Sequence, residues 1–217
     1  MTAPQDPTFE RTAETLRNGF LTPFALSGVP GVMSGCVYRE NGGKVALSER
    51  FGGHLGDYVE SRNPDTVPRP ASPRRLAGRS LYLGHYMGPH YGHFITETLS
   101  TFWIFQERSA DEFDRVVFHP FNFGDAVPDY ARFCFSRFGF GQDKVLIVGA
   151  EPLAFDELVV PERLFRLNHS ADPRLRWVYS HIAREAPAPP QGSSRLYLSR
   201  RRFSRRPFRA RRRARVR

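Results

Sequence analysis

The sequence predicts an α/β fold in which helices cover a mostly parallel sheet. One observation behind this is the alternation of strand-like and helix-like segments from residue 80 to residue 185. Alternation of this kind is typical of crossover units, which place consecutive strands side by side and parallel. The other is composition: 40% of the 217 residues are hydrophobic and 19 are Phe, which is enough for a packed core.

Each element of this prediction follows from a local pattern. Helical spacing of apolar residues predicts a central helix ending near Glu107 and later helices at residues 129–138 and 172–185. The last of these places Leu175, Val178, Tyr179 and Ile182 on one face. Short apolar runs predict four strands, at residues 80–84, 115–119, 144–148 and 157–160. We therefore interpret residues 81–185 as a Rossmann-like layered domain.

Residues 1–80 are predicted to form a β-rich N-terminal extension followed by a basic loop. A helix is predicted within residues 7–18, and two short strands, 37–38 and 45–47, flank a turn at residues 41–43. Pro, Arg and Ser dominate residues 61–79, which predicts a loop. The basic side chains of this loop are expected to be solvated surface, and they are Arg69, Arg74, Arg75 and Arg79.

The C-terminal part of the chain, from residue 186, is richer in Pro and Arg than the residues before it. Residues 186–194 are predicted to be a Pro-rich linker. Residues 195–201 are predicted to be the first strand of a second domain, the rest of which does not follow. The last 18 residues contain 11 Arg and no acidic residue, so they account for the net charge of +10. Residues 1–199 are therefore nearly neutral overall. We expect residues 202–217 to be a disordered tail that binds nucleic acid or other polyanions only non-specifically.

The cysteine count and the hydropathy of the chain argue against a disulfide-rich secreted protein and a membrane-spanning one. Two cysteines, Cys36 and Cys134, do not make a disulfide framework. The polar N-terminus does not resemble a signal peptide, and no apolar run is long enough to span a bilayer. We therefore expect a cytoplasmic protein.

The central helix carries the candidate catalytic residues. Ile95, Thr98, Leu99, Phe102 and Trp103 are expected on one side, and His93, Glu97 and Ser100 on the opposite side. His93 and Glu97 are four residues apart, so the carboxylate can orient the imidazole and raise its basicity, as a general base requires. The alternative is a solvated polar face with a weak helical pair.

Other chemistries have less support in the sequence. His85, His90, His93 and Glu97 are potential zinc ligands. However, Pro89 and Gly92 indicate that the helix begins after His90, which weakens their alignment on one face, and no His-Glu-x-x-His pattern occurs, so we predict no metal site. A Gly-x-Ser-x-Gly elbow and a Gly-x-x-x-x-Gly-Lys phosphate loop are both missing.

Two motifs resemble glycosyltransferase family 61. The first is the family's histidine motif, fitted here by Tyr91, Gly92, His93, Phe94, Glu97, Leu99 and Trp103. The second is Arg195-Leu196-Tyr197-Leu198-Ser199-Arg200-Arg201, similar to the family's basic-x-Tyr-Ile/Leu-Ser-Arg strand. The resemblance implies the N-terminal half of a two-domain GT-B enzyme. After Arg201 the family's Asn-Glu pair and nucleotide-binding half do not follow, so we expect a truncated or frameshifted C-terminus, with a genuine basic tail as the alternative. Because the donor-binding half is missing, we expect this chain by itself to be an incomplete and inactive enzyme.

The resemblance implies transfer of a sugar from a nucleotide sugar to a glycan acceptor in polysaccharide biosynthesis. We predict no cofactor besides the nucleotide-sugar cosubstrate, and the sequence leaves metal dependence open. His93 and Glu97 are the expected catalytic residues. Substrate contacts are assigned to His90, Tyr91 and Ser100 beside them, and to Arg200 and Arg201 facing the donor diphosphate. The alternative is a non-catalytic α/β module with an arginine-rich arm for anionic polymers.

Overall fold

A seven-stranded mixed sheet, covered by helices, organises the fold. The structure is a computed structural model that describes residues 9–26, 33–50, 63–120, 126–167 and 170–184. Its strands are β1 (Ala13–Arg17), β2 (Phe20–Leu21), β3 (Ala25–Leu26), β4 (Met33–Ser34), β5 (Val37–Tyr38), β6 (Arg74–Tyr86), β7 (Arg115–Pro120), β8 (Val145–Ile147), β9 (Leu153–Pro161), β10 (Phe165–Arg166) and β11 (Ser170–Ala171). Its α-helices are α1 (Tyr91–Thr96), α2 (Asp129–Arg137) and α3 (Leu175–Arg184).

Four 3₁₀ segments complete the described secondary structure: Ala46–Ser48, Thr98–Gln106, Ala110–Glu112 and Gln142–Lys144. No helix among the described residues is long and apolar enough to cross a bilayer. The chain divides into two units, Met1–Ala186 and Pro187–Arg217. The predicted linker, the strand at residues 195–201 and the arginine-rich tail all lie outside the described residues.

The strand order is β5-β2-β9-β6-β7-β8, and β1 also pairs with β9. The four strands β9, β6, β7 and β8 run parallel to one another, which confirms the α/β prediction of a mostly parallel sheet in this region. The N-terminal strands β1 and β2 add to the other edge of β9 in antiparallel orientation. One sheet therefore contains strands from both sides of residue 80.

The sheet is buried on both faces, as parallel strands are. Leu81 and Leu83 of β6 face an aromatic cluster built with the helices, while Tyr82 faces the opposite cluster. On the helix side, Phe102 stacks on Phe135 of α2 with ring centroids 6.0 Å apart. This packing links the segment after β6 to α2.

The predicted helix within residues 7–18 is wrong over the described positions. Residues Ala13–Arg17 form β1, with Ala13 opposite Pro161 and Arg17 opposite Glu157 of β9. The open edge of β9 offers this segment a full ladder of hydrogen bonds, and that tertiary pairing outweighs local helix propensity. The predicted strand at residues 45–47 is also replaced, by the 3₁₀ turn Ala46–Ser48, whereas β5 is confirmed.

The basic loop ends earlier than predicted, because residues 74–79 are the first half of β6. Two of its arginines pair with carboxylates of the neighbouring strand: Arg75 with Asp156 at 2.6 Å and Arg79 with Glu157. A change of register between Leu76 and Arg79 accompanies the positive φ of Gly78. The arginines are therefore partners in the sheet as well as surface charges.

The central helix is not one continuous α-helix. α1 ends at Thr96, and Thr98–Gln106 continues as a 3₁₀ segment in which residues 98–104 are buried on every side. The Thr98 hydroxyl donates to the His85 carbonyl and the Thr101 hydroxyl to the Leu83 carbonyl, both at 3.1 Å. These bonds tie the segment to β6, so the predicted division into an apolar and a polar side does not extend past Glu97.

Candidate functional site

The candidate site lies at the carboxyl ends of the parallel strands. β6 ends at Tyr86, and α1 begins at Tyr91 after the turn through Gly88. His85 and His119 are neighbours in register near the ends of β6 and β7, and Arg163 follows the end of β9. Ligand sites of open α/β sheets lie at this edge, where the strands end and loops diverge.

His93 and Glu97 form the pair that the sequence predicts. His93 Nδ1 and Glu97 Oε1 are 2.6 Å apart, one helical turn from each other. The Glu97 side chain is 2% exposed and the His93 side chain 25% exposed. An ionised carboxylate only accepts hydrogen bonds, so Nδ1 donates, and Nε2 is the ring nitrogen that can take up a proton.

Arg50 anchors the buried carboxylate from a distant part of the sequence. Its Nε donates to Glu97 Oε2 at 2.7 Å and its Nη2 to Oε1 at 3.1 Å. Burial by itself would raise the pKa of Glu97, but the hydrogen bond from His93 and the Arg50 guanidinium outweigh it, so the pKa lies below its ordinary value. Glu97 is therefore ionised at neutral pH.

His90 and Tyr91 lie beside this pair at the start of α1. His90 caps the helix, with its Nδ1 accepting from the His93 N–H at 3.3 Å, and the two imidazole rings are 4.4 Å apart. Tyr91 is 60% exposed, and its ring and that of Tyr130 are nearly perpendicular, with centroids 5.2 Å apart. Both residues lie near His93, and their contact with substrate stays a prediction.

Ser100 is not presented beside His93. It is fully buried, and its hydroxyl donates to the Glu97 carbonyl at 2.6 Å. The 3₁₀ winding has about three residues per turn, which stacks Ser100 directly over Glu97 instead of on the exposed side of a longer helix. This placement lends no support to the predicted direct contact between Ser100 and substrate, which stays a prediction.

A second polar cluster is buried behind the pair. The Tyr82 hydroxyl donates to His119 Nδ1 at 2.7 Å, and His119 Nε2 donates to the Thr22 carbonyl at 2.7 Å. Burial lowers the pKa of His119 to about 4. The ring of His85 stacks on His119 at 5.4 Å, and burial together with Arg163 lowers the pKa of His85 well below its ordinary value. Both imidazoles are neutral at pH 7.

Arg163 is the cation of this cluster. Its Nη2 donates to His85 Nδ1 at 3.2 Å. The guanidinium packs against the backbone of Gly84, whose φ is +86° and where an added Cβ would lie 2.7 Å from Nη2. Burial lowers the pKa of Arg163 from its ordinary value. Glycine at position 84 thus allows a charged side chain to approach the strand end.

A pocket of about 140 Å³ opens beyond β9, next to this cluster. Its walls combine charged and apolar side chains, namely Ala46, Leu47, Glu49, Glu162, Arg163, Phe165 and Arg166. Within the described ranges, no group of three or more His, Cys, Asp or Glu side chains converges to hold a metal ion. Arg200 and Arg201, assigned to the donor diphosphate, lie outside the described residues.

Comparison with family models, with curated proteins and with solved structures finds no match to the chain. Sequence reasoning did not single out Arg50 or Arg163, because neither lies in a motif and each meets its partner only through the fold. The Gly84-His85 pair at the end of a predicted strand was the one local signal near Arg163.

Proposed function

We propose that this protein is a glycosyltransferase of the family 61 type, which transfers a sugar from a nucleotide sugar to a hydroxyl group of a glycan acceptor. One observation carries the proposal: a buried, ionised Glu97 held by Arg50 hydrogen-bonds Nδ1 of the partly exposed His93, at the carboxyl edge of the sheet. This is the arrangement of an oriented general base. The motif resemblance around His93 supports the choice of reaction.

In the proposed reaction, His93 Nε2 removes the proton of the acceptor hydroxyl. The acceptor oxygen forms a bond to the anomeric carbon, and the bond from that carbon to the donor phosphate oxygen breaks. The electron pair leaves with the nucleoside diphosphate. Glu97 stabilises the imidazolium that forms, and Arg50 keeps Glu97 ionised and in position.

We also propose the architecture, the substrate contacts and the cellular location of this enzyme. The parallel strands with covering helices support the interpretation of residues 81–185 as a Rossmann-like domain. We propose that this domain is the acceptor-binding half of a GT-B enzyme. His90 and Tyr91 would contact the acceptor, and Arg200 and Arg201 the donor diphosphate. The proposed location is the cytoplasm, and the proposed process is polysaccharide synthesis.

The test incubates the chain, alone and joined to the nucleotide-binding half of a family 61 enzyme, with a panel of nucleotide sugars and oligosaccharide acceptors. Release of nucleoside diphosphate and the mass of the product are followed together. In the joined chain, we expect His93→Ala and Glu97→Gln to lower transfer about 10²–10⁴-fold. Thr96→Ala is the matched control, because its hydroxyl only donates to the Gly92 carbonyl in the same helix.

Two results would reject the proposal. One is a folded joined chain that transfers no sugar with any donor and acceptor of the panel. The other is a transfer rate in His93→Ala equal to that of Thr96→Ala, with both variants folded by circular dichroism. A more conservative variant, His93→Gln, serves if the alanine variant does not fold.

A further inference from the structure

We infer that the pocket beside Arg163 binds an oxyanion, either a carboxylate or a phosphate, carried by a ligand about the size of one sugar ring. The pocket of about 140 Å³ opens past the carboxyl end of β9, with Arg163 in its wall. The inference does not rest on glycosyl transfer, because it follows from the donors and charges of the pocket alone.

The unpaired donors of Arg163 are the first argument. The residue is 7% exposed, and its Nε and Nη1 are buried without a hydrogen-bond partner. Only Nη2 is engaged, by the neutral ring of His85. Burying a cation whose N–H groups lack hydrogen-bond acceptors lowers the stability of the fold. An oxyanion can accept two parallel hydrogen bonds from the planar guanidinium and so remove this penalty.

The carboxylates near Arg163 are already bound elsewhere. Lys44 Nζ lies 3.0 Å from Glu49 Oε1, and the Arg11 N–H donates to Glu162 Oε2 at 2.6 Å. Glu97 is shared between Arg50 and His93. None of these three carboxylates hydrogen-bonds Nε or Nη1 of Arg163, so among the described residues these two donors are left for a ligand.

The other walls fit a small polar ring with an acidic group. Arg166 adds a second guanidinium, whose central carbon lies 5.4 Å above the ring of Phe9. Phe165 and Leu47 supply apolar surface against which the C–H face of a ring can pack. An oxyanion at Arg163 with a ring over Phe165 uses both kinds of wall.

Isothermal titration of the chain at pH 7 with glucuronate, glucose 1-phosphate and neutral glucose tests this inference. We expect saturable binding of at least one anion and none of glucose. Binding of glucuronate alone identifies a carboxylate site, and binding of glucose 1-phosphate alone a phosphate site. Arg163→Met should weaken binding about tenfold or more. Arg176→Met, at an exposed position of α3, removes the same charge and should leave the affinity unchanged.

A second pair of variants keeps the test decisive if Arg163→Met does not fold. Ala46 is an exposed residue of the pocket wall, so Ala46→Glu places a negative charge there and Ala46→Gln a neutral side chain of the same size. We expect Ala46→Glu to weaken anion binding several-fold more than Ala46→Gln. The inference is overturned if neither anion binds, if glucose binds as tightly, or if folded Arg163→Met or Ala46→Glu keeps the wild-type affinity.

Discussion

Arg50 and Glu97 form a two-point ion pair inside the fold, with N–O distances of 2.7 and 3.1 Å between residues 47 positions apart. Their side chains are 7% and 2% exposed, so solvent screens the pair little. The pair joins the N-terminal segment to the start of the 3₁₀ segment after α1. It also fixes the carboxylate that orients His93.

Replacing Arg50 tests how much this pair stabilises the fold. Arg50→Met leaves a buried carboxylate with fewer donors, and we expect the free energy of unfolding to fall by about 3 kcal/mol or more. Urea unfolding measures the change. Arg132→Met, which removes an exposed partner of Asp129, is the control and should change stability by less than about 1 kcal/mol. Equal effects of the two substitutions would contradict a buried pair.

The neutral His119 makes stability depend on pH. Its pKa is about 4 in the folded chain against an ordinary 6.5, so the unfolded chain binds more protons between these values. Stability due to this group is complete above pH 6.5 and is lost as the pH falls towards 4, by about 1.4 kcal/mol per pH unit. The free energy of unfolding at pH 7, 6 and 5 measures this slope.

His119→Gln provides the comparison for that slope. Gln retains hydrogen-bonding capacity towards Tyr82 or Thr22 but does not titrate. We expect the variant to be less stable at pH 7 and to lose less stability on acidification, with His85 supplying the remaining slope through its own lowered pKa. Identical slopes in the two proteins would show that His119 does not titrate with an altered pKa.

Gly84→Ala should destabilise the strand end at Arg163. The φ of +86° is unfavourable for alanine, and the added Cβ would lie 2.7 Å from the guanidinium. We expect a loss of about 1 kcal/mol or more in urea unfolding. Gly149→Ala is the matched control, because nothing lies within 4 Å of its Cβ position. A Gly84→Ala protein as stable as this control would argue against the close approach of Arg163.

Both cysteines should be unreactive in the native chain. Burial raises the pKa of Cys36 to about 12 and that of Cys134 to about 11, so the reactive thiolate is scarce at pH 8. Titration with a chromogenic disulfide reagent should therefore give almost no rapid reaction in buffer. In denaturant both thiols should react at once. Rapid reaction of a thiol in the folded protein would mean that its site opens readily.

Some features were determined by the sequence itself, because their cause is local. The helix α2 begins after Pro128 and ends before Gly139, close to the predicted bounds. The apolar runs predicted β7 and β8 within two residues at each end. The spacing of four between His93 and Glu97 places them one turn apart in any helix, so their pairing needed no tertiary information.

Only the tertiary structure decided the rest, because those features depend on partners far along the chain. Residues 13–17 became β1 because β9 presented an open edge to them, and Ser100 became buried because hydroxyl bonds hold its segment against β6. Arg50 contacts Glu97, and Arg163 contacts His85, which is 78 positions away in the sequence. No sequence motif predicts either contact. Periodicity reports which side of an element is apolar, whereas a buried charge finds its partner only when the packed layers bring the two together.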